Sequence, residues 1–365
     1  MIYCSGSTTN VTSTSAWTVA GKFGGRWLSA ALSLLIVVVA GVVLWRLLRD
    51  IDVDKVVAAF LAQPVRNVAI AGALAIAGYI TLTLYDVFAL RIIGRRRVPF
   101  HVAALASFTS YTIGHSLGAA TLTGGLVRLR VYSAWGLGVL DVTKIALITG
   151  MTFWLGNAFV LGSAVSYAPD AASAVDDLPV WTNRAIGLSA LLVIAGYLAW
   201  LARRPRSIGY ANWRLVLPNA RMTVFQIAIG AADLTFITLA MYSLLPPDPA
   251  IGFAPVLVIF VTATLLGTVS HVPASLGVIE AALLLGLPQF NKEELLAALL
   301  TFRVIYFVIP FLLATLALAL RELGLVARPR SGDAQGIGRP SDGHLTRRGE
   351  GKTIAHHGRA HNSRC

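Results

Sequence analysis

Charge is what this chain has least of. Only 13% of its 365 residues are Asp, Glu, Lys or Arg, 56% are hydrophobic, and the mean hydropathy is +0.72. So few charges cannot cover the surface of a water-soluble domain of this size, and a bilayer is the expected solvent. Cysteine is almost missing. Cys4 and Cys365 sit in the polar tails, which supports neither a disulfide framework nor a thiolate metal centre. Signatures of chemistry are missing too: there is no phosphate-binding glycine loop, serine nucleophile elbow, zinc-protease helix or Asp-rich metal motif of a prenyl or phosphatidyl transferase. The chain therefore reads as a non-enzyme without cofactor or metal. The charge that is present is lopsided, with 30 Lys and Arg against 17 Asp and Glu and a net +13. In a membrane protein this fits basic loops facing anionic lipid, and no aromatic-plus-basic module points to nucleic acid.

Long apolar runs dominate what remains. Trp27 to Leu48 follows Lys22 and Arg26 like a secretory signal, but its length suits a retained span of about 20 residues. Asn67 to Leu90, Thr143 to Tyr167, Asn183 to Leu201, Met222 to Leu245 and Leu295 to Leu320 have spanning length as well. Two further apolar segments are broken. His101 to Leu122 is rich in Ser, Thr and Gly, and Phe253 to Leu287 is interrupted by Ser270, His271, Pro273, Ser275 and Gly277. At membrane depth such breaks are tolerated only where protein or water covers the freed backbone. The fold class is thus an all-α polytopic transmembrane helix bundle, with about six full spans and two broken, re-entrant hairpins. It occupies residues 27–320, between a polar N-terminal tail (1–26) and a disordered basic tail (321–365), in which His356 and His357 read as solvated.

Arginine clusters orient these spans. Arg91 and Arg95 to Arg97 follow the second span, Arg203 to Arg221 separate the fourth and fifth, and Arg321 to Arg330 follow the last. By the positive-inside rule all three regions, and both termini, are cytoplasmic. The segments "APDAASAVDDLP" and "PPDP" carry no Lys or Arg and fall outside. Around Arg46 to Arg66 the rule fits less well, with Asp50, Asp52 and Asp54 the only offset. The two broken segments must then enter from opposite sides. "GHSLGAATLTGGLVR" and "SHVPASLGVIE" share a His, a small-residue stretch and a Gly-x-x-charge ending, the pattern of an inverted repeat.

Ionisable groups within spans cost about 2.5 to 3.5 kcal/mol each on insertion scales, so they face a cavity or one another. Asp86 lies near the end of its span and reads equally as an interfacial acid or a cavity group. Asp233 is deeper and more demanding. Arg303 and Tyr306, in "FRVIYFVIPF", read as interfacial anchors or as cavity groups. Asp141 and Lys144 share a helix face and are expected to pair. His115 and His271, at the breaks, satisfy freed backbone rather than bind metal. Glu280 follows Gly277 at a helix start, where it caps; the favoured reading also pairs it with Arg128, which follows Gly125, across one head-group cavity. Arg128 and Arg130 match phosphate geometry with paired hydrogen bonds.

"TGGLVRLRVYSAWGL", "SHVPASLGVIEAALL", "FRVIYFVIPF" and "LYDVFALR" together resemble the membrane domain of the lysylphosphatidylglycerol synthase/flippase family, the multiple peptide resistance factors, and its stand-alone relatives. The resemblance runs from about Trp27 to Leu320. It implies movement of an aminoacylated, isoprenoid or other polar or anionic lipid between the leaflets of a bacterial inner membrane, with Asp86, Arg128, Arg130, Glu280, Arg303 and Tyr306 as the matching polar sites. The aminoacyl-transferase domain of full-length members has no counterpart here. Ala274 and Ser275 replace a Gly pair that the family often carries. Two other readings stand beside transport: a membrane partner of a separate lipid-modifying enzyme and, behind it, an intramembrane transferase using Glu280 as base.

Overall fold

The computed structural model describes residues 52–117, 120–176, 178–203, 207–210, 213–216 and 218–324. All belong to one compact unit, Met1–Arg328. The expected span Trp27 to Leu48 and both polar tails lie outside the described residues.

A short helix comes first. α1 (Val53–Leu61) is capped by Asp52, whose carboxylate accepts from the Asp54 and Lys55 amides. Sequence reading had counted Asp52 only as an offsetting charge. Then come α2 (Val65–Ile92), α3 (Phe100–Leu117), α4 (Ala120–Tyr132), α5 (Val139–Tyr167), α6 (Pro169–Asp176) and α7 (Val180–Arg203). A two-stranded antiparallel ribbon, β1 (Ser207–Tyr210) and β2 (Trp213–Val216), was not anticipated within the Arg-rich connection. The chain continues with α8 (Ala220–Leu244), α9 (Phe253–Ser270), α10 (Val278–Gly286) and α11 (Lys292–Arg303), then a π-helical turn (Val304–Val308) leading into α12 (Ile309–Glu322).

Six helices among the described residues are long and apolar enough to cross a membrane: α2, α5, α7, α8, α9 and the continuous Lys292–Arg321 stretch. Five of them are the expected spans, each extended by a few residues. The sixth, α9, is the first limb of the second broken segment. Both broken segments fold back as helical hairpins, α3 on α4 and α9 on α10.

Contacts at the helix ends fix their directions. Arg95, beyond α2, pairs with Asp141 in the first turn of α5 at 2.9 Å. Asp141 thus binds across elements, not to Lys144 as expected. Arg321 at the end of α12 donates to the carbonyls of Arg130 and Val131 at the end of α4. This end of the bundle gathers the arginines that the sequence groups together. At the other end Gln63 reaches the Leu244 carbonyl and Tyr242 the Ile251 carbonyl. The α3–α4 hairpin therefore enters from the Arg-rich end and the α9–α10 hairpin from the opposite one. Between them, the turn Pro273–Ser275 at the tip of the second hairpin packs against α3 of the first.

Small residues set the helix spacing. A Cβ on Gly156 of α5 would lie 2.7 Å from the Gly230 backbone of α8, and one on Gly187 of α7 would lie 2.8 Å from the Gly162 carbonyl of α5. In a bilayer no hydrophobic force pulls apolar helices together, so such close backbone approach supplies the packing. One apolar core joins α8 to α11 with Val56 of α1, and a second joins the end of α2 to α3, α4 and α5.

Candidate functional site

Arg128 points inward because of where it sits on α4. Gly124, Arg128 and Tyr132 recur at four-residue spacing and share one helix face. A Cβ on Gly124 would stand 2.9 Å from the Ser110 carbonyl of α3, so glycine there lets the hairpin close. Gly125, expected at the break, instead lies inside α4 with open space around it. The first helix of the hairpin ends at Leu117 and α4 begins at Ala120.

The fork of Arg128 meets Asp86 of α2. Nε reaches Oδ2 at 3.1 Å and Nη2 reaches Oδ1 at 2.9 Å. The Tyr132 hydroxyl donates to Oδ2 at 2.9 Å, and Arg128 Cζ lies 4.6 Å from the centre of the Tyr111 ring. Asp86 is fully buried and the Arg128 side chain is 7% exposed. The interfacial reading of Asp86 is therefore corrected. Its charge is taken up by a bidentate partner and a tyrosine, the arrangement that makes a buried pair tolerable. Arg130, two residues on, is exposed on another side of the helix and lies outside this cluster.

Asp233 of α8 is buried against α2. Its carboxylate faces the hydroxyls of Thr81 at 3.2 Å and Tyr85 at 3.3 Å, and no ion pair to it is found among the described residues. Gly78, Thr81 and Tyr85 form one stripe of α2, and a Cβ on Gly78 would be 3.8 Å from Asp233 Oδ1 and 4.0 Å from the Tyr306 ring.

At the second break the backbone itself needs partners. His271, Ala274 and Ser275 adopt φ of 56°, 50° and 50°, and Gly277 has φ of 79°. Left-handed backbone is costly for residues with a Cβ and persists only where the surroundings enforce it. Arg303 supplies part of that enforcement: Nη1 donates to the Ala274 carbonyl at 3.0 Å, Nη2 to the Ser275 carbonyl at 3.4 Å, and Nε to Glu280 Oε1. The other oxygen of Glu280 accepts the Gly277 amide at 2.8 Å, so Glu280 also caps α10. Ala274 and Ser275 thus hold a left-handed conformation that a Cβ penalises and that glycine would adopt freely. Pro273 opens the turn between Ser270 and α10.

Tyr306 lies in the π turn. Four residues later Pro310 has no amide hydrogen, which leaves the Tyr306 carbonyl without its helical donor, and the Tyr79 hydroxyl fills the gap at 2.9 Å. The Tyr306 ring is buried, stacked between Tyr79 and Phe302. His115 ends α3 with its ring beside Tyr111, and His271 forms the left-handed cap of α9.

The expected pairing of Arg128 with Glu280 does not form. Each takes a different partner: Arg128 meets Asp86 of α2, and Glu280 meets Arg303 of α11. Two grooves on the bundle, of about 310 and 230 Å³, are lined by none of the predicted site residues. Among the described residues the charged groups of the interior are instead the Asp86–Arg128 and Glu280–Arg303 pairs and Asp233. Sequence reading missed Tyr132, four residues after Arg128 and so legible by helical spacing. It also missed Tyr111, Thr81 and Tyr79, which carry no local signal, and took from the motif "LYDVFALR" only Asp86 and not Tyr85 beside it. No group of three or more His, Cys, Asp or Glu able to hold a metal occurs among the described residues.

No family model matches the chain. An inner membrane protein of Escherichia coli strain K12, YbhN, is 30% identical over 315 residues, covering 84% of this chain and 93% of that protein. The uncharacterized protein slr0712 of Synechocystis is 30% identical over 271 residues, covering 74% of this chain and 84% of its own length. A phosphatidylglycerol lysyltransferase of Staphylococcus haemolyticus is 39% identical over 83 residues, only 22% of this chain and 10% of that enzyme.

Proposed function

The chain belongs to the family of the Escherichia coli inner membrane protein YbhN, and from that premise we propose that it moves a polar or anionic lipid between the leaflets of the bacterial inner membrane. The observation that carries this reading is the bidentate Asp86–Arg128 pair, buried at the junction of a spanning helix and a hairpin. A scaffold has no need of buried charge, which is costly in the membrane, whereas a path for a head group does. A lipid phosphate offers the same two-oxygen face as a carboxylate, so it can compete with Asp86 for the Arg128 fork, with the Tyr132 hydroxyl left as a donor to Asp86. Buried hydroxyls of Ser110 and Ser116, on α3, have no partner among the described residues and offer further donors along that path.

Arg303 and Glu280 serve the second hairpin. They hold its left-handed turn closed, and release of that contact opens a gate on the opposite side of the bundle. No covalent chemistry is assigned to either residue. Both termini face the cytoplasm, with the Arg-rich end of the bundle on that side.

The short similarity to a phosphatidylglycerol lysyltransferase favours a second reading, a membrane partner of a separate lipid-modifying enzyme. Leaflet exchange separates the two. The purified chain is reconstituted into vesicles with a fluorescent phosphatidylglycerol, and a membrane-impermeant quencher is added. Transport predicts that more than half the fluorescence is quenched, because inner-leaflet lipid reaches the outside; protection equal to that of protein-free vesicles favours the partner.

A further inference from the structure

About half a turn round α2 from Asp86, its last turns face the first turns of α8 across an open groove. Phe88, Arg91 and Ile92 line one wall, Arg221, Met222 and Phe225 the other, and the volume is about 230 Å³. The floor is apolar, with the Phe88 and Phe225 ring centres 5.8 Å apart. Both arginines are exposed at the rim. Neither guanidinium has an ion pair or hydrogen bond among the described residues, whereas those of Arg95, Arg128 and Arg303 are each held by a carboxylate. Among the described residues no acid lines the groove.

Two free guanidinium groups above an apolar cleft are matched to a ligand with an anionic head and an apolar body. The cleft is flanked by the exposed apolar side chains Met222, Val224 and Phe225, so it opens toward lipid rather than toward a solution of small anions. Arg221 adds its charge in the first turn of α8, where the helix amides already favour an anion. We propose that this groove binds an anionic glycerophospholipid, with the phosphate bridged by Arg91 and Arg221 and the upper acyl chain lying over Phe88, Ile92, Met222 and Phe225. The lipid is held at the surface as a bound component of the α2–α8 seam. It is separate from any lipid that passes the Asp86–Arg128 pair, and the site stands whether or not the protein transports lipid.

The test uses the full chain in a neutral detergent, with phosphatidylglycerol, phosphatidylcholine or inorganic phosphate added in turn. Bound lipid is counted by native mass spectrometry, and the unfolding midpoint is followed alongside. Wild type is expected to retain a phosphatidylglycerol adduct and to gain stability with phosphatidylglycerol more than with phosphatidylcholine. Arg91→Gln with Arg221→Gln should weaken phosphatidylglycerol binding on the order of 30-fold, from about 1 kcal/mol per guanidinium at the surface. Arg96→Gln with Arg203→Gln removes equal charge elsewhere and should leave the adduct. Phe225→Ser should weaken long-chain phosphatidylglycerol while leaving a short-chain form nearly unaffected. Equal adducts in wild type and the groove variant, equal loss in the control, or the same stabilisation by inorganic phosphate would each overturn the proposal. If the double variant does not fold, either single substitution still reports, with about a fivefold loss expected.

Discussion

Replacing Arg128 by methionine keeps much of the aliphatic stem and removes the fork that holds both oxygens of Asp86. Asp86 is then fully buried with the Tyr132 hydroxyl as its remaining donor. Removing one member of a buried pair costs about 3–5 kcal/mol, because the other charge stays in a low-dielectric interior. Asp86→Asn leaves the guanidinium against the Tyr111 face, and a cation over an aromatic ring recovers about 2 kcal/mol at most. Arg128→Met should therefore lose roughly 3–5 kcal/mol, and Asp86→Asn up to about 2 kcal/mol less than that. The double variant Asp86→Asn/Arg128→Met contains neither charge and should lie within about 1 kcal/mol of wild type, since neutral replacement of a buried pair is often without cost. The coupling is then several kcal/mol, well beyond the few tenths that independent sites show. Arg128→Lys should fall between, because an ammonium cannot engage both oxygens in one plane. The assay is reversible denaturation of the detergent-solubilised protein. Additive single effects would refute the claim that the pair, rather than packing alone, settles Arg128 in the interior.

Other expectations follow from the same contacts. Tyr79→Phe orphans the Tyr306 carbonyl and should cost about 1–2 kcal/mol of stability; in a Pro310→Ala background, where a backbone donor returns, the cost should shrink, and an unchanged cost would remove the proline from the explanation. Ala274→Gly relieves left-handed strain of about 1–2 kcal/mol against the entropy that glycine adds to the unfolded chain. A net gain of about 0.5 kcal/mol is expected in the unfolding midpoint, and a loss would mean that the methyl group packs usefully. Gly156→Val places a side chain 2.7 Å from the Gly230 backbone and should destabilise by at least 1–3 kcal/mol, visible as a lowered melting temperature in detergent; an unchanged melting temperature would show that the helices separate freely.

The bundle was legible because bilayer thickness imposes a length on each span, and that length is read directly from apolar runs such as Asn67 to Leu90 and Met222 to Leu245, which fold as Val65–Ile92 and Ala220–Leu244. The breaks were legible for a related reason: Pro273 and Gly277 cannot continue an α-helix without cost, and nothing outside a membrane interior explains their place in an apolar segment. Which charge meets which was not legible. Asp86 and Arg128 are 42 residues apart, Glu280 and Arg303 are 23 apart, and only the packing of α2 on the first hairpin and of the π turn beside the second selects them. Symmetry between the two Gly-x-x-charge endings pointed instead to an Arg128–Glu280 pair, because local pattern records similar roles and not mutual contact. Gly125 was misread for a like reason. Glycine in "TGGLVR" marks close approach of α4 to α3 at Gly124, and both glycines lie inside α4. The strands Ser207–Tyr210 and Trp213–Val216 escaped because the arginines of the surrounding connection, Arg203, Arg204, Arg206, Arg214 and Arg221, point to charge rather than to residue alternation.

Stability and transport come apart in one variant. If the Asp86–Arg128 pair exists to admit a phosphate head group, Asp86→Asn/Arg128→Met should fold and insert with near wild-type stability yet lose leaflet exchange of fluorescent phosphatidylglycerol in reconstituted vesicles, falling to the level of protein-free controls. Exchange at the wild-type rate by that folded double variant would contradict the proposal and leave the buried pair with a structural role alone.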